Sequence, residues 1–118
     1  MYSLIEMSMF RKVDTKLPVN LWIDEDKERN SKHNLSRLKF QNNTSDRFTG
    51  RKDLIPISVD ENPKILLKKF NPKITAKELQ AVQDFISKNR EIILKYMNDP
   101  QFGQGDFLAA MKTVSSLA

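Results

Sequence analysis

The chain has 118 residues, of which 39% are hydrophobic and 30% charged, and these values indicate one globular domain with a modest apolar core. It contains no cysteine, which excludes a disulfide framework, a thiolate zinc site and a cysteine nucleophile. The formal net charge is +5, and the excess lies in residues 29–52, where seven basic side chains accompany one acidic side chain.

The first residues are apolar before they become basic, whereas a signal peptide carries its positive charge ahead of a longer apolar run. No stretch approaches the roughly 20 apolar residues that span a bilayer. We therefore expect a cytoplasmic protein without a membrane partner. Residues 1–118 are interpreted as one domain, in which residues 1–15 could form a loosely attached N-terminal segment.

Three segments of the first half alternate between apolar and polar side chains, as half-buried strands do. They cover residues 19–24, 35–41 and 54–59. Pro56 removes one backbone donor, so the third segment is expected at a sheet edge or with a bulge. The side chains predicted to face the core are Val19, Leu21, Ile23, Leu38, Phe40, Ile55, Ile57 and Val59.

The second half has a helical pattern. Residues 64–70 fit either a short strand or a helical turn, and Thr75 with Glu78 then forms the capping box that begins a helix. The helix is expected to end near residue 98, because Pro100 follows. Its predicted apolar stripe consists of Leu79, Val82, Ile86, Ile93 and Met97, widened by Phe85, Ile92 and Tyr96.

Two glycines, Gly103 and Gly105, make residues 100–105 a predicted link to a short last helix. Asp106 is expected to cap that helix, and Phe107, Met111 and Val114 share one of its faces. Strands therefore precede helices, which excludes a doubly wound βαβ fold. The predicted fold class is α+β, with an antiparallel sheet of three to four strands packed against one long C-terminal amphipathic helix, plus a short terminal helix.

No catalytic or metal-binding pattern survives inspection. The acidic run from Asp24 places Arg29 where a calcium loop needs glycine and Leu35 where it needs a bidentate glutamate. His33 is the only histidine. It could serve as a lone general base with Ser31 or Asp24 nearby in sequence, but the loop-like sequence around it favours an exposed side chain. We predict no catalytic residue, no metal site and no cofactor.

The basic segment is the main candidate for a binding surface. Phe40 and Phe48 lie within it, and cations mixed with aromatic rings are typical of surfaces that contact nucleic acid. The same cations could simply solvate two loops and an open sheet face, and Phe40 falls on the core side. The candidate nucleic-acid-binding residues are Arg29, Lys32, Arg37, Lys39, Arg47, Arg51 and Lys52.

Trp22 is a second candidate surface, because it lies on the opposite side of its strand from the core-facing residues. A large aromatic side chain on an open face often marks a contact surface. The alternative is that Trp22 packs under the N-terminal segment or under the last helix, and the usual burial of tryptophan favours it.

Residues 16–24, 37–41 and 55–63 resemble short uncharacterised bacterial proteins associated with mobile elements. The resemblance extends over hydrophobic and turn positions and implies no substrate, cofactor or catalytic residue. Two functions stay open. The leading one is a non-catalytic interaction or accessory module that binds another macromolecule, either a protein or a nucleic acid. The alternative is a nucleic-acid-binding protein or toxin-like ribonuclease that uses residues 29–52. A continuous basic surface would favour the second, and an apolar patch among scattered charges would favour the first.

Overall fold

The computed structural model describes residues 7–24 and 36–114. It contains four strands, β1 (Met7–Phe10), β2 (Leu21–Asp24), β3 (Arg37–Gln41) and β4 (Leu54–Ser58), and four helices, α1 (Lys12–Thr15), α2 (Ala76–Lys88), α3 (Arg90–Asn98) and α4 (Gln104–Ala110). The predicted α+β class is confirmed. Over these ranges the structure has no helix with both the length and the apolar character of a membrane span.

The four strands form one antiparallel sheet in the order β1-β2-β3-β4. Leu21 pairs with Phe40, and Phe40 pairs with Ile55, so the predicted alternation places these apolar side chains on one face. We call this the inner face. β1 supplies the fourth strand of the sheet. It was not predicted, because four residues are too few for an apolar–polar alternation to be recognised.

β4 is an edge strand of the sheet, as was predicted from Pro56. The neighbouring segment 64–66 runs along its outer edge, with an isolated bridge between Ile57 and Ile65. The Leu66 amide donates to the Pro56 carbonyl and the Ser58 amide donates to the Lys64 carbonyl, both at 2.9 Å. The amide and the carbonyl of one strand residue point to the same side of the strand. The Pro56 carbonyl points to the outer edge, so the missing N–H of Pro56 removes no hydrogen bond between β4 and β3.

The helical half begins as predicted and then differs. Thr75 and Glu78 form the capping box, with the Glu78 amide 3.1 Å from Thr75 Oγ1 and the Thr75 amide 2.8 Å from Glu78 Oε1. The predicted single long helix is divided into α2 and α3 at Asn89, whose backbone has φ −109° and ψ 16°. The Asn89 side chain is buried and bonds the backbone of Lys112 in both directions, at 2.6 and 2.8 Å. The division thus coincides with the point that fixes the segment after α4.

The core lies between the inner face and the helices. The predicted contributors from the strands and the long helical segment are confirmed as buried, except that Leu79 and Ile92 are half-buried. The last helix begins at Gln104 and not at Asp106, whose carboxylate instead accepts a bond from the Gly103 amide at 2.9 Å. The buried core residues that share this cluster include Phe10, Leu21, Ile23, Leu38, Phe40, Ile55, Ile57, Val82, Phe85, Ile86, Ile93, Tyr96, Met97 and Phe107.

Candidate nucleic-acid interface

The face of the sheet opposite the helices, the outer face, carries Met9, Trp22, Lys39 and Pro56 in one cross-strand row. Trp22 is nevertheless only 4% exposed. The ring of Phe48 lies over it, with 5.3 Å between ring centroids, and Met9 and Leu54 complete a small apolar cluster. Trp22 is therefore not an exposed contact residue, and the interaction surface predicted at this position is wrong. The strand pattern places Trp22 on the outer face, but Phe48 from a neighbouring loop covers it there.

That loop consists of residues 42–53, which we call the basic loop. Two buried amide side chains at the sheet end hold its first half. Asn20 Nδ2 donates to the carbonyls of Ser45 and Asp46, both at 3.2 Å. Gln41 Nε2 donates to Asn43 Oδ1 at 2.8 Å and to the Arg47 carbonyl at 2.9 Å. Since all these partners are acceptors, the orientation of both amides is fixed by chemistry.

The far side of the basic loop is tied to the segment that precedes α2. Asn42 Nδ2 donates to the Asn71 carbonyl at 3.0 Å, and Asn42 Oδ1 accepts from the Lys73 amide at 2.9 Å. Asp53, which is 8% exposed, accepts a bond from Thr49 Oγ1 at 2.7 Å and lies 4.0 Å from Lys73 Nζ. Lys73, which chain order separates from the basic segment, is thereby placed beside it.

Lys12 holds the loop from a third direction. Its Nζ lies 3.1 Å from Asp46 Oδ1 and also bonds the Thr44 carbonyl. Its backbone amide donates to Asn20 Oδ1 at 2.9 Å. Hydrogen bonds therefore connect α1 to Asn20 and, through Asn20, to the basic loop. A loop fixed at several points loses little conformational freedom when it binds a partner.

The structure brings together part of the predicted site. Arg47, Arg51 and Lys52 are exposed on the basic loop, and Arg37 and Lys39 are half-exposed on the outer face of β3. Trp22 pairs with Lys39 across the sheet, so the two side chains lie on the same face. Because Phe48 covers Trp22, the basic loop also lies on that face, next to these β3 side chains. Arg29 and Lys32, like His33, fall outside the described residues.

Sequence reasoning missed Lys73 and the three amides that position the loop. The run Gln41-Asn42-Asn43 carries a weak signal, because consecutive amides suit side-chain-to-backbone bonding in turns. Nothing in the sequence joins residue 42 to residue 73, since that contact is made only by the folded chain.

Within residues 7–24 and 36–114, no three histidine, aspartate or glutamate side chains are close enough to hold a metal ion. An open polar cleft of about 340 Å³ lies along α2, but its Asp84 accepts a bond from Gln80 at 2.8 Å and its Glu61 pairs with Arg90 at 3.5 Å. Comparison of the chain with protein-family models, curated proteins and solved structures finds no match.

Proposed function

We propose that this protein is a non-catalytic binding module that contacts nucleic acid through the basic loop and the outer face of β3. The observation that carries the proposal is the fixed presentation of exposed cations. Arg47, Arg51 and Lys52 are exposed on a loop that buried amides and Asp53 attach to the fold, and Lys73 lies beside them. Phosphate groups bind such preformed cationic surfaces by releasing condensed counterions.

The charge of this surface supports a polyanionic partner. Each of the two acidic side chains of the basic loop has a lysine partner: Asp46, whose side chain is 89% exposed, lies 3.1 Å from Lys12 Nζ, and Asp53 lies 4.0 Å from Lys73 Nζ. The excess positive charge of the loop therefore comes from Arg47, Arg51 and Lys52. The exposed Lys68 and Lys69 lie on the segment that leads to Asn71, whose carbonyl is bonded to the loop. They extend the positive charge beyond residues 29–52.

Burial of Trp22 weakens the alternative in which an apolar patch binds another protein. Among the described residues, only three large hydrophobic side chains are exposed, namely Val13, Phe48 and Leu67. Single exposed apolar side chains are ordinary on a protein surface, whereas a protein-binding patch is contiguous. The basic surface is therefore the better-supported binding site.

The test is a titration of labelled single-stranded and duplex DNA and RNA between about 50 and 200 mM salt. We expect affinity to fall steeply with salt. The double variant Arg47→Gln/Lys52→Gln should lower the slope of log K against log salt by about 1 to 2 units, because two phosphate contacts are lost. Arg37→Gln/Lys39→Gln should do the same if the outer face of β3 belongs to the surface.

The matched control is Lys95→Gln/Lys112→Gln, which removes the same charge from exposed positions in the helical half. It should bind like the unaltered protein apart from a small uniform loss. Equal slopes for the control and the loop variant would contradict the proposal, as would affinity weaker than about 10⁻⁴ M at low salt. Cleavage of the RNA during the titration would instead identify a toxin-like ribonuclease.

A further inference from the structure

Phe48 is an exposed aromatic ring at the centre of the basic loop. It is 39% exposed although it lies over Trp22, with 5.3 Å between the ring centroids and 56° between the ring planes. One side of Phe48 thus packs on a buried indole, and the remainder faces solvent between the exposed side chains of Arg47 and Thr49.

The backbone on both sides of Phe48 is fixed. The Arg47 amide donates to Ser45 Oγ at 3.1 Å, and its carbonyl accepts from Gln41 Nε2 at 2.9 Å. Thr49 Oγ1 accepts from Asn43 Nδ2 at 2.9 Å and donates to Asp53 Oδ2 at 2.7 Å. The ring is consequently held in place before any ligand arrives, which reduces the entropy lost on binding.

A rigid aromatic ring on a loop that also carries exposed cationic side chains is a platform for a nucleobase. We propose that the strand bound by this surface is single-stranded, and that one of its bases stacks on Phe48. The inference rests on the proposed function and specifies its ligand. Bases of a duplex are already stacked on their neighbours and cannot lie flat on a protein ring, whereas a single strand can turn a base onto it.

Phosphates of the same strand would contact the neighbouring cations. Arg47 precedes the platform in the chain, Lys52 is exposed near the end of the loop, and Lys73 lies beside Asp53, the last loop residue. Stacking on an aromatic ring tolerates every base, because each base has a π face. We therefore expect a preference for single strands over duplexes, with little preference for sequence.

The experiment compares the unaltered protein with Phe48→Leu and Phe48→Trp on matched single-stranded and duplex oligonucleotides. Leucine keeps an apolar cover over Trp22 but has no π face. Phe48→Leu should weaken single-strand binding by between about 5- and 150-fold, the loss expected for one base stack, and should leave duplex binding and the salt slope unchanged. Phe48→Trp should retain single-strand affinity. A fluorescent adenine analogue in the oligonucleotide should be quenched by the unaltered protein and not by the leucine variant.

The unfolding midpoint and the emission spectrum of Trp22 establish whether the leucine variant keeps the loop in place. If Phe48→Leu folds normally and binds single strands as tightly as the unaltered protein does, base stacking on Phe48 is wrong while the proposed function stands. The same conclusion follows if duplex binds as tightly as single strand. If the unaltered protein shows no salt-sensitive binding to any nucleic acid, the proposed function fails, and this inference fails with it.

Discussion

Buried amide side chains join segments that are distant in sequence. Asn20, Gln41, Asn42 and Asn89 are each 5% exposed or less, and each bonds backbone groups of another segment. An amide suits this task because it donates and accepts at once without carrying a charge that burial would penalise. Gln41 directs its donor entirely to the basic loop, and its Oε1 has no hydrogen-bond partner in the described part of the chain.

Asn20→Asp should destabilise the protein, because it exchanges a donor for a carboxylate oxygen. The bond from the Lys12 amide to Oδ1 can persist, but the carbonyls of Ser45 and Asp46 lose their donor and face a negative charge. We expect the free energy of unfolding to fall by about 1–3 kcal/mol or more, the cost of leaving buried polar groups unsatisfied. Urea denaturation measures this change.

Asn98→Asp is the control for that substitution. Asn98 also donates to a carbonyl, that of Leu94 at 2.8 Å, but it does so at an exposed position. The control should therefore cost much less than Asn20→Asp. Similar losses of unfolding free energy at the two positions would show that the hydrogen bonds of Asn20 contribute nothing specific to the attachment of the loop.

The regular elements with strong local patterns could be predicted from the sequence. The alternation that places Leu21 and Phe40 inward is preserved because a one-residue shift would expose every core side chain. The capping box at Thr75 is a local bonding pattern and needs no tertiary contact. The division of the long helix at Asn89 could not be predicted, because it coincides with a contact to Lys112, more than 20 residues away, that only the folded chain makes.

Asn89→Ala tests how the junction of α2 and α3 holds the segment after α4. The Lys112 amide donates to Asn89 Oδ1 at 2.6 Å, so its hydrogen should exchange slowly in the unaltered protein. Alanine removes the acceptor, and exchange at Lys112 should accelerate, while amides in the middle of α2 keep their protection.

Asn89→Asp retains an acceptor for the Lys112 amide but places a carboxylate oxygen against the carbonyls of Phe85 and Lys112. Protection at Lys112 should therefore lie between that of the unaltered protein and that of Asn89→Ala. Hydrogen exchange followed by NMR resolves the individual amides. If exchange at Lys112 were equally fast in the unaltered protein and in both variants, the hydrogen bonds between the Asn89 side chain and the Lys112 backbone would not be what fixes this segment.

At the scale of the whole molecule, the sheet separates two apolar clusters of unequal size. The large one lies between the inner face and the helices, and the small one consists of Trp22 and Leu54 with Met9 packed against them. Counting charge along the chain placed the excess in residues 29–52 and could not detect that Lys73 belongs to the same surface. Fold class and core were predictable from local periodicity, whereas the extent of the candidate site depends on contacts between distant segments.

Because strands β1, β2 and β4 contribute side chains to both clusters, we expect the two clusters to unfold together. Phe40→Ala should lower the free energy of unfolding by about 3–5 kcal/mol, since Phe40 is fully buried and its truncation leaves a cavity. The single tryptophan, Trp22, reports on the outer cluster by fluorescence, and far-ultraviolet circular dichroism reports on the helices. The two urea transitions should coincide in the unaltered protein and shift together in the variant.

Val13→Ala provides the control, because Val13 is exposed on α1 and its truncation should change the unfolding midpoint little. Separate fluorescence and circular dichroism transitions would mean that the basic loop and the outer cluster open independently of the main core. In that case the loop could not be described as a fixed part of the fold.

The outer edge of β4 also affects how copies of the chain meet. A foreign strand joins a sheet by bonding the unpaired amides and carbonyls of its edge strand. Along β4 the Ser58 amide and the Pro56 carbonyl are already bonded to segment 64–66, and Pro56 has no amide to offer. The exposed Lys64 on that covering segment, and Lys68 two residues beyond it, add like-charge repulsion between approaching copies. This side of the sheet is thus protected against edge-to-edge aggregation by the same proline that interrupts the alternating strand pattern.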